Sequence, residues 1–136
     1  MKEEKLVFML LADPDDKLLT YSTLQELGYD VPIQFFSHST DMFEALIYKK
    51  PSIILTDYNL TPESGLDVLR KLKSIENFDS IPVIILIVSP RWIDYDKCYK
   101  NGANTVIKKP DTNKITFEKI KVFFDYWMKV AETRSV

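Results

Sequence analysis

The sequence has few of the residues that build disulfide-bonded or metal-clamped folds. Its 136 residues include one cysteine, one histidine and three glycines. The single thiol, Cys98, cannot form an internal disulfide or a cysteine-based zinc cage, so we expect a reducing compartment. His38 has no second histidine or cysteine to complete a metal site. A chain of this length can bury a full core without such supports, and we expect one domain over residues 1–136, with its core at about 5–131.

Charge and hydropathy exclude further classes of protein. The 18 basic and 20 acidic side chains give a net charge of −2 and are spread fairly evenly. Without a basic block to neutralise a row of phosphates, we expect no nucleic-acid partner. No apolar stretch approaches the length that spans a bilayer, and the N terminus lacks the apolar core of a signal peptide. We therefore expect a cytoplasmic protein with no membrane partner.

Short apolar runs alternate with amphipathic segments along the chain. Each run is rich in Ile, Val, Leu or Phe without clean alternation, which is typical of strands covered on both faces of a parallel sheet. Strict alternation of such strands with helices predicts a doubly wound α/β domain. The runs are Leu6 to Leu11, Val31 to Phe36, Ser52 to Thr56, Ile81 to Val88 and Thr105 to Ile107.

Capping residues and apolar spacing mark a helix after each run. A negative charge favours a helix start and glycine favours the position after its end. The last predicted helix carries two adjacent apolar stripes, and the second stripe either covers the sheet or meets a partner. The first predicted helix begins at Asp15 and Asp16 and stops at Gly28, and the second spans Met42 to Tyr48 after a Ser39 or Thr40 cap. The third begins at Ser64-Gly65, the fourth runs from about Trp92 to Asn101, and the fifth runs from about Lys114 to Val130.

Charged residues stand where three of the predicted strands end. Asp57 closes the third run, Lys109-Pro110 closes the fifth, and Asp13-Pro14-Asp15-Asp16 follows the first. The carboxyl ends of parallel strands share one crevice, where open α/β sheets bind ligands. We therefore expect the Asp57 carboxylate and the Lys109 ammonium to meet there, in a site suited to phosphate or metal chemistry.

These pieces, taken in order and with their spacing, resemble the receiver domain of two-component response regulators over essentially the whole chain. Gly65 follows Asp57 by eight residues, and Lys109 follows Gly102 by seven, as in that family. The resemblance implies a flavodoxin-like fold of five parallel strands, in the order 2-1-3-4-5, with five helices. It also implies a phosphoacceptor signalling domain in a phosphorelay, which at most catalyses its own phosphorylation and dephosphorylation.

The resemblance also implies roles for individual residues. Asp57 matches the aspartate that a histidine kinase phosphorylates, and Lys109 matches the lysine that holds a phosphoryl oxygen. Magnesium would be held by Asp13, Asp57 and the backbone carbonyl of Asn59. The implied partners are a sensor histidine kinase or phosphotransfer protein, and a downstream effector or a second copy of the chain through helix four, strand five and helix five.

The first departure from the family lies in the metal site. Receivers usually carry two adjacent acidic residues after strand one, and the distance from Pro14 to Gly28 places that pair on Leu11 and Ala12. If Asp13 is instead the second acid, Ala12 replaces the other one. The pair is incomplete on either alignment. Because even an outer-shell partner typically contributes about 10–100-fold to metal affinity, we expect weak magnesium binding.

The second departure lies in the switch. Ile87 stands where the family carries a Thr or Ser hydroxyl, Ser89 lies two residues beyond, and Val106 replaces the usual aromatic residue. Two readings stay open: a phosphorylatable receiver, and a degenerate receiver that binds proteins without phosphorylation. A flavin- or nucleotide-binding flavodoxin-like protein would share the sheet, but the chain lacks the phosphate-binding loop of that class.

Overall fold

The structure is a computed structural model that describes residues 5–110 and 113–133. Five parallel strands form one sheet in the order β2-β1-β3-β4-β5, which confirms the predicted fold. The strands are β1 (Val7–Leu10), β2 (Ile33–Phe36), β3 (Ile53–Asp57), β4 (Val83–Ile87) and β5 (Thr105–Lys108). The helices are α1 (Pro14–Leu27), α2 (Ser39–Tyr48), α3 (Gly65–Ser74), α4 (Trp92–Lys100) and α5 (Asn113–Asp125).

The alternation of side chains along β1 divides the core between the two faces of the sheet. Phe8 and Leu10 point to one face, where they cluster with Leu69 of α3. Met9 points to the other face and clusters with Phe124 of α5. All five of these side chains are at most 3% exposed. Helices therefore cover both faces, which leaves the carboxyl edge of the sheet as the place where polar side chains collect.

The ends of α1 follow from local chemistry. The Asp13 side chain accepts the backbone N–H of Asp15, which satisfies one of the free donors of the first turn. Gly28 adopts φ 73°, the left-handed conformation that only glycine takes without strain, and its N–H bonds the carbonyl of Gln25. Because α1 starts directly after β1, its first turn lies at the carboxyl edge of the sheet.

The predicted last helix is α-helical to Asp125 and continues as a π-helical segment, Tyr126–Val130. Its second apolar stripe is divided between core and surface. Phe123 is buried, whereas Tyr126 and Val130 are 50% and 66% exposed. Nowhere in residues 5–110 and 113–133 is a helix both long enough and apolar enough to cross a bilayer.

Candidate functional site

Asp57 is a buried carboxylate at the carboxyl edge of the sheet. It is the last residue of β3 and is 3% exposed. Its Oδ2 atom accepts the backbone N–H of Ala12 at 2.8 Å. Its Oδ1 atom is buried with no hydrogen-bond partner, and the Lys109 Nζ lies 3.6 Å away. The structure thus brings together the carboxylate and the ammonium that the strand ends predicted.

Lys109 is held between two carboxylates. Its backbone N–H donates to the carbonyl of Ile87 at 2.8 Å, which fixes the chain just after β5. Its Nζ donates to Asp16 Oδ2 at 2.6 Å, closer than it lies to Asp57. Asp16 was predicted as part of the acidic segment after the first strand and as part of a helix start, without a role of its own, so its contact with Lys109 is new. The signal that could have found it is its position in the first turn after β1, which faces the same edge as Asp57.

Burial and charge act on this cluster in opposite directions. Burial raises the pKa of Asp57 above its ordinary value, while the Ala12 N–H and the Lys109 ammonium oppose the rise. For Lys109, burial alone would lower the pKa, but the contacts with Asp16 and Asp57 outweigh it and leave the pKa raised. Lys109 is therefore a protonated, positive group at neutral pH.

The Asp13 side chain, predicted as a metal ligand, caps α1. It is exposed and is engaged with the Asp15 N–H at 2.9 Å. Leu11 is buried among the apolar residues that α5 covers, and Ala12 contributes a backbone N–H to Asp57. Within the part of the chain that the structure describes, no group of three or more His, Cys, Asp or Glu side chains is placed to hold a metal ion.

Gly65 is required by a close approach of backbones at the site. Its N–H donates to the carbonyl of Tyr58 at 2.9 Å. A Cβ atom at this position would lie 2.3 Å from the Asp57 carbonyl oxygen and 2.7 Å from the Tyr58 Cα, so something would have to shift. The spacing of eight residues between Asp57 and Gly65 therefore reflects direct contact between α3 and the end of β3.

The segments that flank the site carry the second departure from the family, which lies in the switch. Ile87 is 1% exposed, so an apolar side chain fills the position of the family's hydroxyl. Beyond it, the N–H of Val88 donates to Asn59 Oδ1 at 3.2 Å, which links the two loops. On β5, the N–H of Val106 donates to the hydroxyl of Tyr99 at 3.0 Å. Tyr99 of α4 thus contacts β5, the strand on which Val106 replaces the family's aromatic residue.

A cavity of about 230 Å³ lies beside the Asp16–Lys109 pair, between the sheet, α1 and α5. Apolar side chains form most of its wall, and the ion pair lies at its polar end. Leu11 is one of the wall residues, so the position aligned with a family acid faces an apolar space. The wall includes Met9, Leu11, Leu19, Leu55, Leu86, Ile107, Ile120, Phe123 and Phe124.

Comparison with known proteins agrees with this architecture. The response regulator receiver domain profile matches residues 10–121. Chemotaxis protein CheY1 of Helicobacter pylori is 29% identical over 102 residues, which cover 74% of this chain and 82% of that protein. The phosphorylated cyanobacterial phytochrome response regulator RcpA superposes with a TM-score of 0.89 at 23% identity, covering 97% of this chain and 99% of that one. The Mn²⁺-bound response regulator Rcp1 gives 0.87 at 20% identity, covering 96% and 99%.

Proposed function

The chain belongs to the response regulator receiver domain family, and on that premise we propose that Asp57 accepts a phosphoryl group from a histidine kinase or phosphotransfer protein. The observation that carries the proposal is the Asp57 Oδ1 atom. It is a carboxylate oxygen that makes no hydrogen bond and lies 3.6 Å from a fixed ammonium. A nucleophilic oxygen beside a cation is what phosphoryl transfer requires, because an anionic group must approach another anion.

Ala12 and Lys109 have different roles in this transfer. The Ala12 N–H fixes one oxygen of the carboxylate, which leaves the other oxygen to attack phosphorus. Lys109 lies where its ammonium can bind an oxygen of the incoming phosphoryl group. Its raised pKa keeps that charge at neutral pH.

The buried Oδ1 atom also fits a divalent cation, since hard cations take carboxylate oxygens as ligands. Magnesium, when bound, offsets the charge that accumulates as the phosphoryl group approaches. We propose Asp57 and the backbone carbonyl of Asn59 as two of its ligands. Asp13 is the third ligand implied by the family pattern, and its Oδ1 atom already accepts the Asp15 N–H at 2.9 Å.

A second candidate function is a receiver that binds proteins without phosphorylation. Its support is the absence of carboxylates at Leu11 and Ala12 together with the buried Ile87. Either function would use exposed apolar residues of α4 and α5 to contact an effector protein or a second copy of the chain. Trp92 is 76% exposed and Val122 is 64% exposed.

Phosphorylation of the purified protein distinguishes the two candidates. With magnesium and acetyl phosphate, we expect intact mass spectrometry to show one phosphoryl adduct, and the Asp57→Asn variant to show none. Asp30→Asn is the matched control, because it removes the same charge from an exposed residue outside the site. No adduct under saturating acetyl phosphate, together with no beryllofluoride-induced NMR shift near Asp57, would favour the phosphorylation-independent function.

A further inference from the structure

The metal site has no carboxylate at Leu11 or Ala12, but the Asp16 carboxylate lies four residues after Ala12, in the first turn of α1. We propose that Asp16 supplies this carboxylate and completes a divalent-cation site with Asp57. The inference deepens the proposed function, because it names a ligand for the same site. The strand-end pattern included Asp16 within the acidic segment Asp13–Asp16, but the family resemblance assigned the ligand role to Asp13.

The first observation is that Asp16 and Asp57 both lie beside the Lys109 ammonium. Lys109 Nζ lies 2.6 Å from Asp16 Oδ2 and 3.6 Å from Asp57 Oδ1. The two carboxylate oxygens are therefore no further apart than the sum of these contacts. A magnesium ion binds each oxygen at about 2.0–2.1 Å, so two such ligands lie within roughly 4 Å of each other. For both oxygens to bind one ion, the Asp16 carboxylate would turn toward Asp57.

The second observation is the state of Asp57. Its Oδ1 atom is buried and makes no hydrogen bond, and the side chain is only 4% exposed. Buried carboxylate oxygens normally accept hydrogen bonds, so one that has only an ion pair with Lys109, at 3.6 Å, leaves a position for a ligand. A divalent cation between the two acids would satisfy this oxygen.

Asp16 is better placed for this role than Asp13. Asp13 is exposed and its Oδ1 atom caps α1, which holds its carboxylate at the start of the helix. The Asp16 carboxylate contacts Lys109 and its side chain is 30% exposed, which leaves it room to turn. When Asp16 turns to the cation, Lys109 loses its closer partner and becomes available to a phosphoryl oxygen.

Manganese binding without any phosphodonor tests the inference. We would titrate Mn²⁺ into the full chain and follow free ion by electron paramagnetic resonance and bound ion by water-proton relaxation. We expect Asp16→Asn to weaken binding by about 10–100-fold. Asp13→Asn and Asp15→Asn remove the same charge from the same end of α1, and we expect both to bind close to the wild-type level. Thermal unfolding without metal confirms that each variant is folded.

Four results would overturn the inference: wild-type protein that binds no Mn²⁺, Asp16→Asn that binds like wild type, loss of binding in Asp13→Asn alone, or an equal loss in all three variants. The last result would mean that only the long-range field of the acidic turn matters. Failure of phosphorylation is a separate outcome. If Mn²⁺ binding depends on Asp16 but Asp57 forms no acetyl phosphate adduct, the proposed function fails and the cation site remains.

Discussion

Replacing Asp57 by asparagine should stabilise the folded protein. The wild-type carboxylate is 3% exposed, and one of its two oxygens makes no hydrogen bond. Asparagine has nearly the same shape, and its amide oxygen can accept the Ala12 N–H that Oδ2 accepts at 2.8 Å. The substitution therefore removes a buried charge while keeping the hydrogen bond, so function rather than stability accounts for an aspartate here.

The size of the effect follows from the groups involved. Asparagine places its amide NH2 where the unpartnered Oδ1 atom lies, so that buried polar position stays without a partner and the gain comes from removing the buried charge. Loss of the attraction to Lys109 offsets part of the gain, but Lys109 keeps its contact with Asp16 at 2.6 Å and is not left unpaired. We expect a net gain of about 1–2 kcal/mol in the free energy of unfolding. In a domain of this size that corresponds to a rise of roughly 3–10 °C in Tm.

The stabilisation should also depend on pH. Burial raises the pKa of Asp57 in the folded state above its ordinary value of 3.8. Between these two values the unfolded chain binds fewer protons than the folded chain, so the contribution of Asp57 to stability falls as pH rises. The wild type carries the full penalty above the folded pKa. The advantage of Asp57→Asn should therefore be greatest at neutral pH and shrink as pH falls through that pKa.

Thermal and urea unfolding of both proteins from pH 7 down to pH 4 would measure this difference directly. Comparing the two proteins cancels the titration of every group outside the site. Asp30→Asn, an exposed change of the same charge outside the site, is the control. A Tm of Asp57→Asn at or below that of wild type at pH 7, or a difference that does not change with pH, would refute the reasoning.

Three further substitutions test other parts of the site. Gly65→Ala should lower the free energy of unfolding by about 1–3 kcal/mol, because the new Cβ atom would overlap with backbone atoms. Gly28→Ala has open space around the new Cβ atom and should lose only about 1–2 kcal/mol, because of its positive φ. Urea unfolding compares the two variants. Ile87→Thr should lower stability by about 1–3 kcal/mol by burying a hydroxyl, yet enlarge the NMR shifts caused by beryllofluoride. Tyr99→Phe should cost about 1 kcal/mol, and unchanged hydrogen exchange at the Val106 amide would contradict the bond seen between them.

The site differs from the family pattern in which elements supply its charges. The position of the missing acidic pair is filled by the Ala12 backbone N–H and the buried Leu11 side chain. The acid that reaches Lys109 comes instead from the first turn of α1. A backbone donor can fix a carboxylate but cannot bind a cation, so the capacity for metal depends on the acids that remain. Asp16→Asn therefore reports on cation binding, whereas Asp57→Asn removes both a proposed cation ligand and the proposed phosphoacceptor.

Sequence by itself determined the strands, the helices and the meeting of Asp57 with Lys109. Strand and helix periods are local properties, and strand ends in a parallel sheet must share an edge. Tertiary structure alone decided that Asp16 would hold Lys109 and that Tyr99 would contact β5. The first contact joins residues 93 positions apart and the second joins residues 7 positions apart. Both depend on the direction of a side chain, which local patterns do not encode. The physical reason is that spacing fixes which edge or face a residue occupies, while packing fixes which neighbour it touches.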